Sequence, residues 1–317
     1  MRCSIQATLW LAAAGSNNLR RRSGLRNWTE ITVARVLQGA LEFAPRPIAD
    51  ALGLGCARLL DTLVPRLRQT AYTNLAFAYP GHDEAWRRNT VDGVYRSIGR
   101  LITGFARFPR INKSNVAEWV RYEGFEHYAR AKENGKGVLF ATAHLGNWEL
   151  SAYAHALLTE KMNIVVRPLD NPLIDDLVET RRALSGNVLL SKRDFARSIL
   201  HALRGNQPVG ILVDQNSAGD NSAFVPFFGK HACTNLTFAK LAARSGATVI
   251  PGFLIWSAQE RKYVLRFYPS ITMSGDAVED TARIQAAVEA AIREYPDQWL
   301  WIHRRWKTRP AGETGIY

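Results

Sequence analysis

From residue 121 onward the chain alternates short apolar, β-rich runs with stretches of helical periodicity, and no other feature restricts its fold as strongly. The runs are GVLFATA (137–143), NIVVRP (163–168), NVLL (187–190), VGILVD (209–214), TVIPGFLIW (248–256) and YVLRFYP (263–269). Helical stretches lie between them near 149–160, 171–185, 193–204 and 235–245, the last stopped by Ser245-Gly246. Apolar runs without polar alternation suit strands buried on both faces, and helices between them supply the crossovers. The expected fold is α/β: a largely parallel central sheet flanked by helices. Open sheets of this kind carry their sites at the carboxyl ends of the strands, so the residues that follow each run are the ones to read for chemistry.

Upstream the texture differs. Residues 28–110 read as mostly helical. Val33, Val36, Leu37, Ala40, Leu41 and Phe43 recur at helical spacing until Pro45 and Pro47 break the run, and a second helix follows over about 48–64 with Leu52, Leu59, Leu60 and Leu63. Arg35, Arg46, Arg58, Arg66 and Arg68 surround this wide apolar face. A basic amphipathic region suits the surface of an anionic bilayer, and equally suits helices packed on a domain core. Residues 1–27 form a separate, poorly defined segment. Its uncharged stretch 3–19 is broken by Ser16, Asn17 and Asn18 and closed by Arg20, Arg21 and Arg22. That is short and polar beside the roughly 20 apolar residues of a spanning helix; a signal peptide is one reading and a misplaced start another. Residues 111–317 make up the α/β domain. No internal repeat or low-complexity segment is present.

With 41 Lys+Arg against 28 Asp+Glu the net charge is +13. Such a chain attracts polyanions: nucleic acid, an anionic membrane face or phosphorylated lipids. Cys3, Cys56 and Cys233 are far apart, with no disulfide framework and no CxxC metal pattern, which fits a reducing compartment.

The strand GVLFATA runs into His144-Leu145-Gly146-Asn147-Trp148-Glu149 and then a helix. Gly146 and Asn147 permit a tight turn that would bring the Glu149 carboxylate back to the His144 imidazole. A carboxylate on one ring nitrogen fixes the tautomer and makes the other nitrogen a base for an attacking alcohol. N–H groups of the following helix N-terminus would serve a developing oxyanion. The plain alternative is a capping carboxylate beside a loop histidine. HLGNWE is not the HExxH of a zinc enzyme. The next strand ends in Arg167-Pro168-Leu169-Asp170, with Arg181 and Arg182 on the helix beyond; either Arg167 or Arg181 suits phosphate binding or an internal salt bridge. A further strand ends in Asp214-Gln215-Asn216. The apolar loop FVPFFGK, with Phe227, Phe228 and Lys230, suits an acyl tail or a plug in the core. The tail YPDQWLWIHRRWKTRP (295–310), with Trp306, interleaves Trp and Arg as at a lipid headgroup interface, on nucleic acid or in a terminal helix packed on the core.

Taken in order, HLGNWE, RPLDNPLIDDLVETRR, ILVDQN, FVPFFGK, the Thr234-Asn235 helix start, ATVIPGF and PDQWLWIHRRWKTRP resemble the bacterial lipid A biosynthesis (lauroyl/myristoyl) acyltransferases, within the lysophospholipid acyltransferase superfamily. The resemblance spans about residues 70–312. It implies a catalytic HxxxxE pair, His144 and Glu149, and an O-acyltransferase that needs no metal and no cofactor. The acyl donor it implies is a thioester on acyl carrier protein or CoA, and the acceptor a hydroxyl of a glycolipid, a lipid A precursor. Acyl carrier protein, the glycolipid and an anionic membrane surface are then the partners, with no nucleic acid. The implied location is the cytoplasmic face of the inner membrane. Arg167, Arg181, Asp214 and Gln215 match recurrent polar positions and are assigned to substrate binding or site support, with Phe227, Phe228, Lys230 and Trp306 as acyl or headgroup contacts. The family's clear N-terminal spanning helix is not evident here. Rival readings are acyl transfer to another lipid (a phosphatidylinositol mannoside, a lysophospholipid), a thioesterase, or a non-enzymatic polyanion-binding protein.

Overall fold

The computed structural model describes residues 24–190 and 195–317; the apolar segment 3–19 and its arginines lie outside them. Four helices open the described chain: α1 (Gly24–Phe43), α2 (Arg46–Leu63), α3 (Pro65–Ala78) and α4 (Glu84–Ala106). The α1–α2 break falls at Pro45 and Pro47, where the sequence places it. Asp83 caps α4, accepting from the Trp86 N–H. A short helix α5 (Val116–Trp119) then leads into the sheet domain.

That domain runs β1 (Val120–Glu123), α6 (Phe125–Glu133), β2 (Val138–Thr142), α7 (Trp148–Leu158), β3 (Asn163–Val165), α8 (Pro172–Ala183), β4 (Val188–Leu190), α9 (Phe195–Arg204), β5 (Pro208–Leu212), β6 (Ser222–Phe227), β7 (Lys230–Asn235), α10 (Thr237–Ser245), β8 (Thr248–Ser257), β9 (Lys262–Phe267) and α11 (Ala277–Glu294). The main sheet has the order β1-β9-β8-β2-β5-β3-β4. Every neighbouring pair in it is parallel except β8–β9. The central strand β2 is buried on both faces, which is why GVLFATA shows no polar alternation. Val138 and Phe140 pack with Leu150 and Tyr153 of α7 and Ile174 of α8 on one face. Leu139 and Ala141 pack with Ile199 of α9 and Phe238 of α10 on the other. A third cluster joins α3 and α4 to α11, the β6–β7 hairpin and the C-terminal tryptophans.

Two local readings are corrected, and one strand departs from the parallel majority. FVPFFGK is a β-hairpin, β6–β7, not a loop. The last strand is antiparallel to β8 because only a short turn connects them, too short for the crossover a parallel pair needs. The tail 295–310 forms no α-helix: after a 3₁₀ turn at Pro296–Gln298 it continues as turns threaded through the interior.

Among the described residues, no helix is long and apolar enough to cross a membrane. Yet α1 and α2 carry a row of exposed apolar side chains. Trp28 (62% exposed), Val36 (69%) and Phe43 (71%) project from α1. Ile48, Leu52, Leu59 and Leu63 are exposed along one stripe of α2, while Ala49, Gly53, Ala57 and Leu60 are buried on the opposite one.

Candidate active site

Strands β2 and β5 are neighbours in register, Thr142 opposite Leu212, and the ladder continues where the Val213 N–H donates to the Thr142 carbonyl. His144 and Asp214, each two residues past that pair, therefore leave the sheet side by side. The chain turns from β2 over one face, into α7, and from β5 passes toward α10 on the other. Such a switch point leaves a crevice at the strand ends.

Asp214, 2% exposed, accepts three N–H donors there. Its Oδ1 takes the His144 Nδ1 proton at 2.8 Å, and its Oδ2 takes the His144 backbone N–H at 2.9 Å and the Trp299 indole N–H at 2.7 Å. Burial alone would raise the carboxyl's pKa. The charge of the imidazole and the three hydrogen bonds outweigh it and hold the pKa at about 2. An ionised carboxylate on Nδ1 leaves Nε2 with its lone pair, facing Gln215. Among the described residues, its hydrogen-bonding partner is the Gln215 amide nitrogen, at 3.2 Å.

The expected His144–Glu149 pair does not form, and this is the main correction to the sequence reading. Glu149 turns away from the imidazole and receives a two-pronged bond from Arg182, both at 3.0 Å. The pair is largely buried, its side chains 7% and 14% exposed. The reason lies in the turn between them. Gly146 sits at φ +65°, and a Cβ there would meet the Leu254 carbonyl oxygen at 1.9 Å. The Gly146 and Asn147 N–H groups are bonded to the Gln298 and Leu254 carbonyls, and the Asn147 side chain caps α7 through the Leu150 N–H. Pinned in this way, α7 presents Glu149 to α8 instead of back to the strand end. The same bonds remove Gly146, Asn147 and Leu150 as free donors for an oxyanion.

The other predicted residues divide sharply. Arg167 is exposed at the end of β3 and lines the crevice. Arg181 does not: it bonds Glu42 at 2.6 Å and the Ala106 carbonyl, fastening α1 and α4 to α8. Phe227, Phe228 and Trp306 are buried in the cluster beneath the tail, with Phe227 at 5.8 Å from Trp299 and 5.9 Å from Trp306, ring centre to ring centre. Lys230 lies over the Phe77 ring. None of these four lines the crevice: Phe227, Phe228 and Trp306 are buried supports of the fold, and Lys230 is an exposed side chain away from it. The tail tryptophans likewise form interior, not a headgroup interface: Trp299, Trp301 and Trp306 are fully buried.

Two site residues escaped the sequence reading. Trp299 reaches Asp214 from the tail, where the Leu300 N–H also donates to the His144 carbonyl at 3.0 Å. His303 accepts the Asn216 backbone N–H on Nε2 at 3.1 Å. Burial, and then the charge of His144, pushes its pKa down to about 4. Only the clustering of Trp, His and Arg near the C-terminus hints at either.

His144 opens onto a cavity of about 630 Å³. Leu37 and Leu41 of α1, Leu101 and Phe105 of α4, and Ile174 and Val178 of α8 give it apolar walls, while His144, Gln215, Arg167 and the Glu149–Arg182 pair mark its polar end. A base in the wall of such a cavity suits an enzyme that brings a polar reacting group and a long apolar chain together. The family comparison agrees. Residues 17–308 match the model of the bacterial lipid A biosynthesis acyltransferases, and the chain belongs to that family. It is 31% identical to the lipid A biosynthesis palmitoleoyltransferase of Escherichia coli (strain K12) over 280 residues, 86% of this chain and 89% of the relative. It is 30% identical to the lauroyltransferase of the same organism, covering 86% and 90% of the two chains. To the myristoyltransferase it is 24% identical, covering 87% and 86%. The chain is thus an acyltransferase of lipid A biosynthesis.

Proposed function

We propose that the protein moves a fatty acyl chain from a thioester, carried by acyl carrier protein or CoA, to a hydroxyl of a lipid A precursor. His144 Nε2 takes the hydroxyl proton, and the oxygen attacks the thioester carbonyl carbon. As the tetrahedral intermediate collapses, the C–S bond breaks and His144 returns the proton to the departing sulfur. Asp214 holds the imidazole in the tautomer this needs and stabilises the imidazolium between the two transfers, so His144 and Asp214 replace the expected HxxxxE pair as the working dyad. The acyl chain occupies the apolar cavity. The observation that carries this reading is the hydrogen bond from the cavity-lining His144 to the buried Asp214. Arg167, exposed at its polar rim, suits a phosphate of the acceptor.

The reaction takes place, on this reading, at the cytoplasmic face of the inner membrane. The uncovered apolar row of α1 and α2, flanked by the exposed Arg35, Arg58 and Arg66, supports an interfacial attachment to anionic lipid. Because the inner side of α1 walls the cavity, that attachment would set the cavity beside its lipid substrates. His144→Ala is the decisive variant: acyl transfer from a synthetic acyl carrier protein thioester should fall by at least ~10²-fold with the fold intact. Near-normal turnover would remove His144 from the chemistry.

A further inference from the structure

The backbone around Gln215 is fixed on both sides. Before it, Asp214 is buried and holds three N–H donors. After it, the Asn216 N–H is bound by His303, its side-chain oxygen accepts from the Thr308 N–H at 3.0 Å, and its Nδ2 donates to the Thr308 hydroxyl at 3.0 Å. Only the Gln215 side chain of this triplet is exposed, and it lines the cavity. Its amide nitrogen stands 3.2 Å from His144 Nε2. With Asp214 accepting the Nδ1 proton, Nε2 is an acceptor, so the Gln215 N–H donates to it.

The acceptor hydroxyl must come within ~2.6–3.2 Å of Nε2 to give up its proton. The Gln215 amide occupies that place, and two heavy atoms cannot share it. The side chain must therefore swing aside when the acceptor enters, while its fixed backbone keeps the amide within reach of the same spot. The atom next to that spot during reaction is the thioester carbonyl. Four nearby backbone donors are already engaged: the N–H groups of His144, Gly146, Asn147 and Leu150 bond Asp214, Gln298, Leu254 and the Asn147 side chain.

We propose that Gln215 is a catalytic residue: it caps the base in the free enzyme and, displaced by the acceptor, donates its amide N–H to the carbonyl oxygen as that oxygen becomes an oxyanion. This rests on the acyl-transfer reading above. The electron pair of the C=O bond moves to oxygen as the new C–O bond forms. The Gln215 N–H stabilises that charge, and collapse re-forms the C=O bond and expels the thiolate, which takes the proton held on Nε2. The acceptor hydroxyl thus loses one proton and the thiol gains one.

The test is Gln215→Met, close in length but without donors, with Gln215→Glu as a second donor-free variant. Each is assayed for acyl transfer and, without acceptor, for hydrolysis of an acyl carrier protein thioester. Both reactions pass through the oxyanion, so kcat for each should fall together by ~10²–10³-fold, with the acceptor KM within about threefold of wild type. Hydrolysis near wild type in both variants, or a change confined to the acceptor KM, would overturn the proposal. His144→Ala in the same assays separates the two ideas. An inactive His144→Ala beside a fully active Gln215→Met sinks only the role of Gln215, whereas an active His144→Ala sinks the mechanism on which it rests.

Discussion

Replacing Asp214 by Asn tests the assignment of the orienting carboxylate with almost no change of shape. Asp214 Oδ2 accepts two N–H groups, from the His144 backbone and the Trp299 indole, whereas Oδ1 accepts only the imidazole proton. An asparagine keeps both bonds at Oδ2 only by placing its single oxygen there. Its NH₂ then faces His144 Nδ1. A donor opposite Nδ1 forces that nitrogen to accept, the ring proton moves to Nε2, and the base is gone. Loss of the correct tautomer in a comparable His–Asp arrangement costs ~10⁴ in kcat, and loss of a general base generally ~10²–10⁴. Acyl transfer by Asp214→Asn should fall within that span. Trading a charged for a neutral acceptor costs about 1.5–3 kcal/mol of stability, or a Tm lower by roughly 2–4 °C per kcal/mol. The comparison variant is Glu149→Gln, which keeps one acceptor for Arg182. It should also lose stability, by about 1–3 kcal/mol, yet retain far more activity than Asp214→Asn once folded protein is counted. The measurements are kcat for transfer, Tm, and the ¹⁵N shifts of the His144 ring, which report the proton's position directly. An active Asp214→Asn beside a folded, inactive Glu149→Gln would refute the reasoning and restore the HxxxxE pair.

Two further outcomes follow from other parts of the fold. Val36→Ser with Phe43→Ser, both on the uncovered face of α1, should weaken sedimentation with phosphatidylglycerol vesicles several-fold at unchanged Tm, and high salt should weaken the wild type; equal sedimentation would remove α1 from the membrane contact. His155 is buried, with Nδ1 at 2.7 Å from the Tyr122 hydroxyl; burial, and then the charge of Lys132, pushes its pKa down to about 3. Its folded pKa lies below its unfolded value, so its neutral form contributes stability that is fully present above about pH 6.5 and is lost at roughly 1.4 kcal/mol per pH unit as the pH falls toward about 3. The urea midpoint should drop across that window, and His155→Gln should flatten the drop. An identical slope in the variant would assign the acid sensitivity elsewhere.

The sequence by itself determined the sheet class, the helical N-terminal third and the place where chemistry sits. Those follow from local rules: uninterrupted apolar runs mean strands buried on both faces, Pro45 and Pro47 end a helix, and residues after strands face the crevice. It also brought His144 to attention, because HLGNWE follows the most buried strand. Tertiary structure decided which carboxylate meets the histidine. Glu149 is five residues from His144 and Asp214 seventy, yet β2–β5 pairing brings Asp214 alongside while the Gly146 turn and the α7 cap send Glu149 to Arg182. Tertiary structure also decided the fate of the aromatic motifs. FVPFFGK and the C-terminal tryptophans have the composition of a lipid-contacting surface, but they meet one another across the interior and make a core. Most of the exposed large apolar side chains among the described residues lie instead on α1 and α2. Composition tells how much apolar surface a chain carries; only packing determines which part of it is left without a partner.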